Sequence, residues 1–116
     1  MTSKDVFVVH GRNEEIRKGM FTFLRSIGLH PLEWPKIVKA TGKPNPYIGE
    51  VLERGFTMAQ AVLVLMTPDD EVRLREELRR QYDSADEQNL TFQPRPNVLI
   101  EAGMALGMYP DRTIIV

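Results

Sequence analysis

Residues 61–66 read Ala-Val-Leu-Val-Leu-Met, an unbroken apolar run. Successive side chains of a strand point to opposite faces, so a strand with one wet face cannot carry such a run. It suits a strand covered on both faces, the condition of a parallel sheet sandwiched between helices. A parallel sheet needs a crossover segment between neighbouring strands, usually a helix, and the rest of the chain supplies them.

Val6–Val9 is a second apolar run, and His10-Gly11-Arg12-Asn13 after it reads as a turn. Asn13 is a natural N-cap for a helix beginning at Glu14. In that helix Ile16, Met20, Phe23, Leu24 and Ile27 share one face, and Gly28 supplies its stop. His30–Trp34 reads as a short strand, followed by a loop from Pro35 to Pro46 that holds Gly42, Lys36, Lys39 and Lys43. A second helix is expected over Tyr47–Ala59, with Ile48, Val51, Leu52, Gly55, Phe56 and Ala59 inward. Thr67-Pro68-Asp69-Asp70 closes the central strand. Glu71–Arg80, dense in both signs, reads as a solvated helix, and Asp83–Pro94 as a polar mobile connection. Asn97–Met108 is the third core helix, and Thr113–Val116 a last strand.

The alternation of strand and helix predicts an α/β domain with a parallel sheet, helices on both faces and right-handed crossovers. A flavodoxin-like strand order of 2-1-3-4 follows. With 116 residues the chain has room for one domain, residues 1–116. No covering helix follows the final apolar strand, so the chain is expected to be a fragment of a longer protein; the alternative is a short chain whose last strand lies on a sheet edge.

Charge is balanced, with 15 basic and 16 acidic residues, and leaves no electrostatic footprint for nucleic acid. There is no cysteine, which excludes disulfides and a thiol nucleophile. No apolar run approaches a membrane span and no signal peptide is visible, so a cytoplasmic protein is expected. No His/Asp/Glu cluster has metal-ligand spacing, and no nucleophile elbow is present.

In open parallel sheets ligands bind outside the carboxyl ends of the strands. His10-Gly11-Arg12-Asn13, Trp34 with the lysine-bearing loop, Thr67–Asp70 and the helix start Arg95-Pro96-Asn97 should therefore share one rim. That helix start leads to Glu101, a lone carboxylate on a helix otherwise built from Val98, Leu99, Ile100, Ala102, Met104, Ala105, Leu106 and Met108. Such a helix is expected to be mostly buried, and a carboxylate is rarely placed there unless paired, hydrogen-bonded or working. A capping box does not fit, because the acid would have to stand at the third helical position. Two readings remain open: a buried ion pair with Arg95 or Arg12, or a functional carboxylate. Gly11 and Arg12 offer backbone approach and a planar fork of donors to a phosphate, although Glu14 and Glu15 already occupy that helix start. Trp34, the only tryptophan, is either core packing or a stacking surface for a flat ring. Asp69 and Asp70 are helix caps or ligands. The Gly103/Gly107 pair, one turn apart, is expected to let the last helix approach the sheet closely.

The segments VFVVHGRNEE, PLEWPKIV, AVLVLMTPDDE and RPNVLIEAGMALG, in this order, resemble the TIR domains of bacterial predicted nucleotide-binding proteins. These are effector domains attached to cyclic-nucleotide sensors in anti-phage systems, TIR–STING fusions among them. The resemblance covers nearly the whole chain and is most specific in RPNVLIEAGMALG. It implies the TIR fold, cleavage of NAD+ at the nicotinamide–ribose bond with NAD+ as substrate and no cofactor, and Glu101 as the catalytic residue. It also implies a mobile loop at Pro35–Pro46, self-assembly with other TIR domains and a fused sensor domain. His10, Gly11, Arg12, Trp34, Asp69 and Asn97 are the expected substrate-binding groups. The chain departs from the family in having His10-Gly11-Arg12-Asn13 where a serine-rich segment is usual, and in lacking the usual C-terminal helix.

One carboxylate is chemically sufficient for that reaction. Most glycosidases use two, one of them to protonate a poor leaving group. The nicotinamide of NAD+ is a cationic pyridinium that departs neutral, so no general acid is needed. An ionised carboxylate beside the ribose stabilises the positive charge developing on its carbon. The helix dipole is expected to favour that ionised form. Two other readings keep the fold: a TIR module that binds other TIR domains without turnover, and a nucleoside-transferring α/β enzyme, which would need Asp69 or Asp70 as a second carboxylate facing Glu101.

Overall fold

The computed structural model describes residues 3–116, and every side chain among them except that of Asp86. Four strands form a parallel sheet: β1 (Asp5–Val9), β2 (His30–Leu32), β3 (Ala61–Val64) and β6 (Thr113–Ile115). Their order is β2-β1-β3-β6, so the four parallel strands follow the expected 2-1-3-4. β1 pairs with β2 on one side (Asp5 opposite His30) and with β3 on the other (Val9 opposite Val64). β6 closes the far edge with Val64 opposite Ile115. Pairing runs on beyond β3, because Leu65 donates to the Val9 carbonyl and Met66 to the Val116 carbonyl, each at 2.9 Å. The whole apolar run 61–66 is thus ladder-bonded.

Residue alternation splits the core in two. Phe7, Val9, Val62 and Val64 face one side, under α2 (Trp34–Ala40), α3 (Ile48–Met58) and α5 (Pro96–Met108). Val6, Val8, Leu63 and Leu65 face the other, under α1 (Glu14–Ser26). The caps of α1 fall where the sequence put them. Asn13 accepts a hydrogen bond from the Ile16 amide at 3.0 Å, and Gly28 takes a positive φ of 85°. The inward face of α1 is rotated from expectation. Phe21 and Leu24 are buried, whereas Ile16, Phe23 and Ile27 are exposed. The guanidinium groups of Arg17 and Arg25 lie 5.0 and 5.6 Å from the Phe21 ring centre, so their stems take up helix surface that a plain apolar count would give to the exposed stripe.

Three segments differ from the sequence reading. β2 ends at Leu32, and Trp34 opens α2 instead of ending a strand, so half of the expected loop 35–46 is helical. Proline fits in that first turn because its missing N–H would lack an intrahelical partner there anyway, and Ile37 drives the turn into the core against α3. Glu71–Arg80 is not a helix. Asp70–Val72 (β4) pairs antiparallel with Thr91–Gln93 (β5), leaving a 3-10 turn at Glu76–Leu78 and a short helix, α4 (Ala85–Gln88), between them. The alternation Glu71-Val72-Arg73-Leu74-Arg75 has the period of a strand, and that period outweighs the helix-forming charges. The expected polar connection 83–94 therefore carries α4 and one strand of this arm.

α5 is also less buried than its composition implies. Val98, Ala102 and Ala105 lie in the core, but Leu99, Ile100, Leu106 and Met108 are exposed. Gly103 and Gly107 lie on the outer side, and a Cβ built at either meets no described atom within 4 Å beyond its own helix neighbourhood. Close packing belongs instead to Gly55 of α3, where a Cβ would stand 2.6 Å from the Phe7 ring.

Candidate active site

The loops leaving the carboxyl ends of β1 and β2 and the start of α5 enclose a cleft of about 420 Å³. Phe7 and Val8 of β1 contribute to its lining. His10 and Arg12 supply one wall, Trp34 and Ile48 another, and Arg95, Asn97 and Glu101 a third. The neighbouring strands of opposite crossover direction, β1 and β3, create a crevice at this end of the sheet. The segments PLEWPKIV and RPNVLIEAGMALG, distant in sequence, meet here because α2 and α5 cover the same sheet face.

Glu101 is the sixth residue of α5 counted from Pro96, since Arg95 rather than Asn97 is the N-cap. It stands in the second turn, beyond the strong reach of the helix dipole, which does not extend past the first turn. Burial dominates its titration and raises its pKa above the usual glutamate value, while a hydrogen bond with the Asn97 side chain pulls it partly back. The expected dipole assistance is thus replaced by a neutral amide one turn away. No ion pair among the described residues involves Glu101. Arg95, one of its expected partners, instead binds Asp70 at 3.0 Å.

His10 donates from Nδ1 to the Gly11 carbonyl at 3.0 Å. Trp34 remains about a third exposed, at 36%, with part of its indole bordering the cleft. Of the seven residues expected at the site, His10, Arg12, Trp34, Asn97 and Glu101 line one cleft. Gly11 and Asp69 do not. The Asp69 carboxylate turns to the backbone and accepts from the Arg12 N–H at 2.7 Å, and a Cβ on Gly11 would overlap it. Asp70 is engaged by Arg95, so neither aspartate lines the cleft opposite Glu101 as a second carboxylate.

One wall residue escapes the sequence reading: Ile48, expected on the core face of α3, is exposed at its first turn and borders the cleft. Arg95, expected on the rim with the start of α5 and as a possible ion-pair partner of Glu101, lines the cleft as the N-cap of α5. A second groove of similar size, about 440 Å³, is lined by Thr41, Lys43, Glu50, Glu53, Arg54 and Thr57. It has no aromatic wall, and its Lys43 is paired with Glu50. Among the described residues no group of three or more His, Cys, Asp or Glu side chains is placed to hold a metal, and no helix is long and apolar enough to cross a membrane.

The sheet order defines a flavodoxin-like α/β domain, with a cleft around a half-buried glutamate at its topological switch point. The chain belongs to the TIR domains of CAP12/Pycsar effector proteins, whose family pattern it matches over residues 5–116. It is also similar to protein tirC of Dictyostelium discoideum, with 28% identity over 112 residues. That match takes in 95% of this chain and 50% of the relative, so the chain spans about half the length of that protein. No solved structure matches it.

Proposed function

We propose that this domain is an NAD+ glycohydrolase, the effector part of a larger sensor protein that becomes active by self-assembly with other TIR domains. The observation that carries the reading is Glu101: a carboxylate half-buried in a strand-end cleft, near the Asn97 amide and in no ion pair among the described residues. A group so placed destabilises the protein when ionised, and such residues concentrate at working sites.

Trp34 offers an apolar face for the nicotinamide ring, and Arg12 and Arg95 offer charge to the diphosphate. The bond between ribose C1′ and the pyridinium nitrogen breaks with both electrons going to nitrogen, which leaves as neutral nicotinamide. Ionised Glu101 stabilises the cationic ribose carbon as that bond lengthens. Water then adds to C1′ and loses a proton to solvent, giving ADP-ribose. Concentrated protein incubated with NAD+ should release nicotinamide, measured by chromatography, and Glu101→Gln should not; a wild-type sample without nicotinamide sinks the reading.

The alternative is a TIR module that associates without turnover. Leu99, Ile100 and Leu106, exposed on the outer face of α5, favour it. Assembly of the wild-type protein with no nicotinamide release at any concentration would decide for it.

A further inference from the structure

We propose that Asp69 is a positioning residue for the cleft: it locks the turn after β1 into the shape that presents His10 and Arg12, and residue 11 is glycine because the Asp69 carboxylate occupies the space of a side chain. Its kinetic half rests on the proposed NAD+ cleavage; its structural half does not.

β1 and β3 are neighbours in the sheet, so the loops leaving their carboxyl ends run side by side. The Asp69 amide donates to the Thr67 carbonyl at 2.9 Å, a tight turn that directs the Asp69 side chain back toward β1. There Oδ2 accepts the Arg12 backbone N–H at 2.7 Å, across 57 positions of sequence. A hydrogen bond from an amide to a carboxylate is stronger than one between neutral groups. Gly11 does not need its glycine for backbone freedom, since its φ is not positive. It needs the space: a Cβ would overlap Asp69, and the aliphatic stem of Arg95 stands 3.4 Å away on the same side. Asp70, the next residue, holds the Arg95 guanidinium at 3.0 Å. Two consecutive aspartates at the root of the β4–β5 arm thus tie down two cleft walls, one through the main chain of Arg12 and one through the side chain of Arg95.

The test compares the whole chain with Asp69→Ala, Asp69→Asn, Gly11→Ala and the double variant Gly11→Ala/Asp69→Ala. Hydrogen exchange at the Arg12 amide, followed by NMR, reads the lock without any substrate. It should quicken about tenfold in Asp69→Ala, and Asp69→Asn, whose amide oxygen still accepts, should restore most of the protection. Unaltered amide signals in β1 and β3 show that the variants fold. Gly11→Ala should quicken exchange as Asp69→Ala does, and the double variant should be no worse than Gly11→Ala alone, because the clash partner is gone. In nicotinamide release, Asp69→Ala should raise KM for NAD+ about tenfold with kcat less affected, since the turn shapes binding rather than the breaking bond. Wild-type exchange rates at Arg12 in Asp69→Ala overturn the lock. Faster exchange with unchanged KM overturns its role in the cleft. A wild-type protein that releases no nicotinamide refutes the proposed function, while the exchange rates still decide the lock.

Discussion

The Asn97 side chain and the Glu101 carboxyl stand one turn apart on α5 and line the same cleft, and the Asn97 amide opposes, in part, the rise in pKa that burial imposes on Glu101. Asn97 therefore favours the ionised carboxylate against the larger effect of burial. Because the proposed chemistry needs the charged form, nicotinamide release should fall on the acid side of the Glu101 pKa, which lies above the ordinary glutamate range. Asn97→Ala removes that lowering influence, so the acid limb of the kcat/KM profile should move to higher pH. An unmoved limb in that variant would separate the pair from the activity.

The same shift makes a prediction for stability. Folding raises the Glu101 pKa, so the folded state keeps its proton to higher pH than the unfolded chain. The contribution of this group is fully present below the unfolded value and is lost as pH rises through the folded one. Above that window the ionised, half-buried carboxylate is a burden. Glu101→Gln should thus raise the urea midpoint at neutral pH and leave it nearly unchanged in acid. A lower midpoint at neutral pH would point to a buried partner for the charge.

The charge itself should carry the reaction. Glu101→Gln keeps shape and hydrogen-bonding capacity but cannot stabilise a cationic ribose carbon. The expected loss is about a hundredfold or more in nicotinamide release, the scale found when one electrostatic group is removed from a preorganised site. Release by a folded Glu101→Gln variant at close to the wild-type rate eliminates Glu101 as the catalytic residue.

Two glycines test the packing in opposite directions. Gly55 faces the Phe7 ring, which is buried and lies 5.5 Å from the Phe56 ring. Gly55→Ala gains ~1 kcal/mol of helix propensity but overpacks that buried ring, for a net destabilisation of about 1–2 kcal/mol. Gly103 stands in open space on the outer face of α5. Gly103→Ala should stabilise by about 0.5–1 kcal/mol. Thermal midpoints that shift in the same direction for both would contradict this assignment of which helix approaches the sheet.

Those two glycines also show what the sequence could tell. Local signals were sufficient wherever one residue decides a local outcome. The run 61–66 fixed a doubly covered strand, Asn13 and Gly28 fixed the limits of α1, and the strand-end rule gathered His10, Arg12, Trp34, Asn97 and Glu101. The signals failed where the outcome depends on a distant partner. Gly103 and Gly107 have the spacing of a packing face, yet no sheet approaches them. Gly55 has no spacing signature, yet Phe7 does approach it. Trp34-Pro35 looks like the end of a strand until Ile37 is seen anchoring α2 in the core. Glu71–Arg80 is rich in helix formers, but its alternating Val72 and Leu74 follow the arm that Thr91–Gln93 completes about twenty residues later. Asp69 reads from sequence as a helix cap or a ligand, and its bond to the Arg12 backbone is invisible without the sheet.

Assembly leaves the last prediction. The outer face of α5 exposes Leu99, Ile100 and Leu106, and Ile100 is 65% exposed immediately before Glu101 in the chain. Apolar side chains clustered in this way gain from being covered by another protein surface. A neighbouring domain seated there would also bear on the helix that carries Glu101. If self-assembly activates the domain, specific activity should rise with concentration by mass action over about a hundredfold range, in step with the mass seen by light scattering. Ile100→Glu should hold the protein monomeric and flatten that dependence without lowering its thermal midpoint, because the side chain is already in water. Activity per molecule that stays constant over that range in a protein that remains monomeric would remove assembly from the mechanism, and an Ile100→Glu variant that still assembles would place the contact on another face.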